Sequence, residues 1–218
     1  MNGSSDNENL ETGAGASDAL DLGDETIPQE AREAIKHLIS EINALRKEIE
    51  ANNDRIAELE TLADRDPLVP VVNRRAFVRE LSRAKAYADR YGGTNCLLYL
   101  DIDGMKRLND QHGHATGDVA LMTLADILQQ NVRASDLVGR LGGDEFGVLL
   151  AQAGRETAEK KVIQLQELIQ QAKIKLATES QTLSATFGVI EMTEDMSPED
   201  ALEQADKAMY DRKQARRS

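Results

Sequence analysis

From Ile35 to Ala63, apolar residues recur at alternating steps of three and four. A 3.5-residue period held for four heptads constrains the chain strongly, because it keeps one narrow stripe turned toward a partner helix. Ile35, Ile42, Ile49 and Ile56 fill the a positions, and Leu38, Leu45 and Leu59 fill d. That distribution favours a parallel two-stranded coil. Flanking charges agree: Glu41 at g would face Arg46 at e of a second copy, and Arg55 would face Glu60. Asn52, the polar member of the seam, would cost stability while fixing register. Pro28 suits the first turn of the helix. At ~1.5 Å per residue the seam runs roughly 40 Å. The competing reading is an amphipathic helix packed on its own domain.

Residues 1–27 are rich in Gly, Ser, Ala, Asn and acids, with few apolar residues and no pattern. They are expected to form a disordered acidic tail. A net charge of −13 across 218 residues argues against a general nucleic-acid binder, which needs a basic face. It leaves room for a nucleotide enzyme, where a few local cations and a metal suffice. No run of 18 apolar residues suggests a membrane span. A single cysteine, Cys96, sits in an apolar run and reads as a buried, inert thiol. These features fit a cytoplasmic protein.

Residues 65–218 read as one α/β domain of the α+β kind. A helix is expected near 74–90, then a buried strand, Cys96-Leu97-Leu98-Tyr99-Leu100, ending at Asp101. Helical patterning covers about 117–131. Strands near 136–141 and 145–151 flank Gly142-Gly143. A long helix is expected over 155–176, a strand over 182–190, and a last helix after Ser197-Pro198. This order predicts a central, mostly antiparallel sheet covered by helices.

Two places concentrate carboxylates. Asp101 and Asp103 end a buried strand, where an unpaired carboxylate is costly. Either a hard cation such as Mg²⁺ or a nearby Lys or Arg would satisfy them. Asp144 and Glu145 follow the two glycines, which are expected to supply the positive φ of a tight hairpin turn. His112 and His114, two apart with no cysteine nearby, make a poor zinc site.

Leu141-Gly142-Gly143-Asp144-Glu145-Phe146 resembles the signature of the GGDEF family. Asp101-Ile102-Asp103-Gly104-Met105-Lys106-Arg107-Leu108-Asn109-Asp110 is similar to that family's metal-and-nucleotide segment, and Gly113-His114-Ala115-Thr116-Gly117-Asp118 continues it. Asp66-Pro67-Leu68 and Asn73-Arg74-Arg75-Ala76-Phe77 resemble the domain's opening, and Ala205 to Tyr210 its closing helix. The resemblance implies a palm-like nucleotide-cyclase fold. It also implies a diguanylate cyclase that condenses two GTP into cyclic di-GMP as a homodimer. By position, Asp101, Asp144 and the Ile102 carbonyl would hold Mg²⁺, with Mn²⁺ as a substitute. Asp144 would be base or base-orienter, and Lys106 would offset triphosphate charge. Asn109 and Asp118 would read guanine, and Lys213 and Arg217 would touch phosphates. Arg133 and Asp136 match an Arg-x-x-Asp motif that binds the product and inhibits many of these cyclases.

Some residues depart from the family pattern. Val69-Pro70-Val71 stand where Thr-Gly-Leu is usual, so the turn after the coil should differ. Met105 replaces a common aromatic, and Arg212 and Arg216 replace small residues. The alternative is a silent domain that only receives GTP or cyclic di-GMP. No recognisable sensor segment is expected before the coil, so an unidentified regulatory protein, localisation or expression level could supply the input.

Overall fold

A computed structural model describes residues 28–175 and 180–216, the side chains of 54, 56–62 and 175 excepted. The expected acidic tail, residues 1–27, lies outside the described residues. The chain divides into two units, residues 1–58 and 59–218.

Helix α1 spans Gln29–Asp64 without interruption. Along it Leu38, Ile42, Leu45 and Ile49, four consecutive seam residues, are between 49% and 59% exposed.

The second unit is built on a five-stranded sheet in the order β1-β3-β4-β2-β7. Its strands are β1 (Val72–Asn73), β2 (Cys96–Ile102), β3 (Leu137–Arg140), β4 (Glu145–Leu150) and β7 (Ala185–Glu191). Only the β1–β3 pair is parallel; β2 runs antiparallel to both β4 and β7. The helices are α2 (Arg74–Tyr91), α3 (Met105–His112), α4 (His114–Gln130), α5 (Arg155–Gln171) and α6 (Pro198–Ala215).

The apolar run of β2 is continuous because both its faces are covered. Cys96, Leu98, Leu100 and Ile102 pack with α4 and α5, while Leu97 and Tyr99 pack with α2 and α6. Phe77, Phe146 and Phe187 are fully buried among aliphatic neighbours, and each such side chain contributes about 1.5–3 kcal/mol of transfer free energy. Burial pushes the Cys96 thiol up to about 11, as an inert core cysteine requires. Helix α6 opens on a capping box: the Ser197 hydroxyl accepts from the Asp200 N–H, and the Asp200 carboxylate accepts from the Ser197 N–H.

The helix expected over 155–176 stops at Gln171. Beyond it β5 (Lys173–Lys175) pairs antiparallel with β6 (Ser180–Thr182) in a sheet of their own. Lys173-Ile174-Lys175 alternates polar and apolar with Ile174 buried, but three residues are too few to register as a period. Two further elements escape periodicity for the same reason. β1 is two residues long, and α3 shows only one apolar step, from Met105 to Leu108.

Candidate nucleotide site

The end of β2 sets the site. Gly104 takes φ 74°, a left-handed conformation that favours glycine, and turns the chain from the strand directly into α3. Lys106 and Asn109 then fall three apart on one face of that helix. Gly113, at φ 82°, separates α3 from α4, whose first turns carry Gly117 and Asp118. His112 and His114 bracket that glycine and are exposed.

Lys106, Asn109, Asp118 and Asp144 line one cavity of about 400 Å³. Among the described residues, the side chains of Lys106, Asp118 and Asp144 make no hydrogen bond or ion pair. Asn109 Oδ1 is buried with no partner. Buried polar atoms are otherwise paired almost everywhere in proteins, so an orphan acceptor at a cavity wall is the mark of a place for a ligand.

The Gly142-Gly143 turn does not need positive φ, contrary to expectation; neither glycine adopts it. Gly142 instead leaves room for Glu145: a Cβ there would displace the Glu145 carboxylate, whose Oε2 occupies that space. The turn is closed by the Leu141 N–H donating to the Glu145 carbonyl at 2.9 Å. Arg140 grips it from one side, Nε donating to the carbonyls of Gly142 and Gly143 at 3.1 Å each. Its Nη1 reaches Asp66 Oδ1 at 3.1 Å. Arg74 Nη1 donates to the Leu141 carbonyl at 3.2 Å, and the Tyr99 hydroxyl donates to Glu145 Oε2 at 2.9 Å. Burial, reinforced by Glu145, holds the Tyr99 hydroxyl well above its usual range, so it remains a donor. Sequence reasoning missed Arg140, Arg74 and Tyr99 as supports. The signal for Tyr99 was present: its hydroxyl is a lone side-chain oxygen in an aliphatic run, and a buried hydroxyl needs a partner.

The Ile102 N–H donates to the Asp144 carbonyl at 3.4 Å, tying the turn to the end of β2. Asp101 is consequently crowded. Burial raises its carboxyl above the ordinary range, the charges of Asp144 and Asp103 push the same way, and Lys213 opposes them. Lys213 Nζ lies 2.6 Å from Asp101 Oδ1, so the end-of-strand ion pair left open by the sequence exists. Asp103 is otherwise occupied: Oδ1 accepts from the Thr186 hydroxyl at 2.7 Å, and Arg216 lies 3.6 Å from Oδ2. Among the described residues no three His, Cys, Asp or Glu side chains form a ready-made cage. Asp101, Asp144 and the Ile102 carbonyl are a sparse, all-oxygen set. That set fits Mg²⁺, which takes one or two carboxylates and completes its shell with phosphates and water.

Arg133 and Asp136 lie elsewhere, on a second cavity of about 510 Å³ shared with Asp64, Arg65 and Gln129. Asp136 is committed to backbone, accepting from the N–H groups of Arg133 at 2.9 Å and Ala151 at 3.1 Å. The Arg133 guanidinium is exposed and makes no hydrogen bond or ion pair among the described residues. Arg217 lies outside the described residues. In the opening turn Asp66 Oδ1 accepts from the N–H groups of Leu68 and Val69, and the Pro70 carbonyl accepts from Arg65 and Gln129. The residues at the departure from the family pattern are thus folded into the domain, with Val69 and Val71 buried.

Comparison with known proteins identifies the family. DgcP, a diguanylate cyclase of Pseudomonas aeruginosa, is 30% identical over 189 residues, which are 87% of this chain and 28% of DgcP. TpbB, a diguanylate cyclase of the same organism, is 35% identical over 190 residues, 84% of this chain and 44% of TpbB. This chain therefore spans less than half the length of either relative. The coiled coil and GGDEF domain of Caulobacter crescentus DgcB, solved in complex with c-di-GMP, superposes with a TM-score of 0.72 at 26% identity, covering 82% of this chain and 95% of that one. Residues 63–218 match the family model "Diguanylate cyclase, GGDEF domain", and with that match over most of its length the chain belongs to the GGDEF family.

Proposed function

We propose that this protein is a diguanylate cyclase, converting two GTP into cyclic di-GMP and two pyrophosphates. The observation that carries the reading is the cavity around which Lys106, Asn109, Asp118 and Asp144 present polar atoms with no partner among the described residues. Asp118 would accept from guanine's ring N–H and amino group, and Asn109 would meet the base edge with its unpartnered amide. Adenine offers no such pair of donors, and a site built for those bonds rejects it. Lys106 would offset charge on the triphosphate, and its value grows in a site that excludes water. Lys213, on the last helix, and Arg217 would add phosphate contacts.

Asp101, Asp144 and the Ile102 carbonyl would hold Mg²⁺, or Mn²⁺ in its place. When bound, the metal would neutralise phosphate charge and ease loss of the hydroxyl proton. The 3′ hydroxyl of one GTP attacks the α-phosphorus of the other. A P–O bond forms there, the bond to pyrophosphate breaks, and the hydroxyl proton passes to Asp144 or to water that Asp144 orients. The same exchange in reverse roles closes the ring.

Each domain presents one GTP, so two copies must face each other. The exposed seam of α1 supports a parallel coiled-coil homodimer, with residues 28–64 as its stalk and 65–218 as the catalytic domain. Arg133 and Asp136 would bind product and slow the enzyme. We place the protein in the cytoplasm.

The test is incubation of the purified chain with GTP and Mg²⁺, with products identified by chromatography and mass. Cyclic di-GMP and pyrophosphate in a 1:2 ratio, lost on chelation, is the expected result. A dimeric, ligand-free preparation that binds GTP or cyclic di-GMP without turnover would make the domain a receptor instead.

A further inference from the structure

We infer that Tyr99 and Glu145 form a strut that positions Asp144 from the face of the sheet opposite α4 and α5. The inference rests on the cyclase reading for its kinetic consequences. Asp101 and Glu145 are directly opposed in the β2–β4 register. Like charges so placed destabilise an antiparallel pair. Tyr99, two residues back on β2, shares their face, because side chains alternate along a strand. Its hydroxyl holds Glu145 Oε2 at 2.9 Å, along the diagonal of the ladder and away from Asp101.

The same carboxylate abuts Gly142, filling the space a Cβ there would take. Glu145 is thus wedged between the Tyr99 hydroxyl and the turn backbone. Arg74 holds the Leu141 carbonyl, and Arg140 holds the carbonyls of Gly142 and Gly143. The residues on both sides of Asp144 are fixed, while the Asp144 side chain has no bond of its own among the described residues. Its placement depends on the turn. Glu145 is therefore a positioning residue, and Tyr99 acts through it.

The test is a double-mutant cycle in the full chain, using Tyr99→Phe, Glu145→Ala and the pair. Tyr99→Phe removes one oxygen and keeps the ring that fills the core. It should lower kcat by about tenfold while the GTP KM stays within about twofold, because a misplaced catalytic carboxylate costs rate rather than substrate binding. The double variant should be no slower than Glu145→Ala alone, as coupled residues are non-additive. Hydrogen exchange supplies a readout independent of turnover. Amides in the peptide covering 141–146 should exchange faster in Tyr99→Phe, with those of β7 unchanged. Additive losses, a change confined to KM, or wild-type rates and exchange would overturn the strut. If the wild-type chain makes no cyclic di-GMP, the cyclase reading falls, and exchange alone decides: faster turn amides uphold the strut, and unchanged ones remove it.

Discussion

Lys213 Nζ sits 2.6 Å from Asp101 Oδ1, so the last turns of α6 deliver a cation onto the carboxylate near the C-terminal end of β2, an interior strand of the sheet. Lys213→Met would leave that carboxylate part-buried beside Asp103 and Asp144 with no cation. Its folded-state carboxyl already lies above the ordinary value of 3.8. A carboxyl raised on folding adds most to stability below its unfolded value, and that contribution is lost as pH rises through the folded value. The variant should therefore suffer most at neutral pH. Stranding a buried charge costs about 2 kcal/mol or more, or roughly 4–8 °C in a chain of this size. Thermal melts at pH 7.5 and pH 4.5 check this: the deficit should shrink at the lower pH, and adding Asp101→Asn should restore Tm while abolishing turnover.

Gly117 faces Asn109 so closely that a Cβ would strike Asn109 Oδ1 and crowd the Met105 methyl. Gly117→Ala gains about 1 kcal/mol of helix propensity. It also displaces the amide expected to meet guanine. Tm should hardly move, while the GTP KM rises by about tenfold, in keeping with the loss of a base-reading hydrogen bond. Titration with GTP and thermal melting together check the prediction; a lower Tm with an unchanged KM would place Asn109 outside the guanine site.

How far the sequence reached depended on the range of the interaction. The heptads of α1 and the apolar run of β2 repeat one physical requirement over many residues, so they could be read directly. That Lys106, Asn109, Asp118 and Asp144 belong together could be expected only through a resemblance, since each alone is an ordinary polar residue; the structure places all four on one cavity. That the Tyr99 hydroxyl needs a partner was legible, but the partners of Tyr99 and Arg140 were not, because they depend on a diagonal across β2 and β4 and on a contact from β3 to Asp66, and register is invisible in one chain. Gly142 was assigned to the right turn for the wrong reason: its φ is not positive, and what occupies the place of a Cβ is the carboxylate of a side chain three residues on.

Asp200 is held below the ordinary carboxylate range by the Ser197 hydroxyl and N–H. A carboxyl depressed on folding contributes stability above its unfolded value and loses it as pH falls through the folded value. Asp200→Ala should therefore lower the urea midpoint at pH 7, and the gap from wild type should close as pH drops below 3.8. A gap that persists at the acid end would mean that the capping box is not what the variant disturbs.

Asp136 has a structural task beside the product contact proposed for it and Arg133. Asp136 receives two backbone N–H groups, and stranding them would cost about 1–3 kcal/mol. Arg133 is exposed and uncommitted. Arg133→Ala should leave Tm unchanged and weaken inhibition by cyclic di-GMP about tenfold or more, the worth of a guanidinium forked onto guanine. Asp136→Ala should lower Tm as well. Initial rates at increasing product concentration, set beside melting curves, separate the two. Equal inhibition in Arg133→Ala and wild type would remove this cavity from product control.

The seam of α1 carries Leu38, Ile42, Leu45 and Ile49 at 49–59% exposure, and a second copy of the helix would cover them. If that pairing brings two GTP-loaded domains together, it makes their encounter intramolecular at an effective concentration on the order of millimolar. Ile42→Asp with Ile49→Asp would place charges at two a positions and break the pairing without touching the catalytic residues. Specific activity of the wild-type chain should stay flat from micromolar down to the dimer's dissociation range. That of the variant should fall in proportion to dilution and recover at high protein concentration. Sedimentation in parallel should show the variant as a monomer. A monomeric variant that keeps full activity when dilute would separate the coil from catalysis, and the half-sites would then have to meet through the catalytic domains themselves.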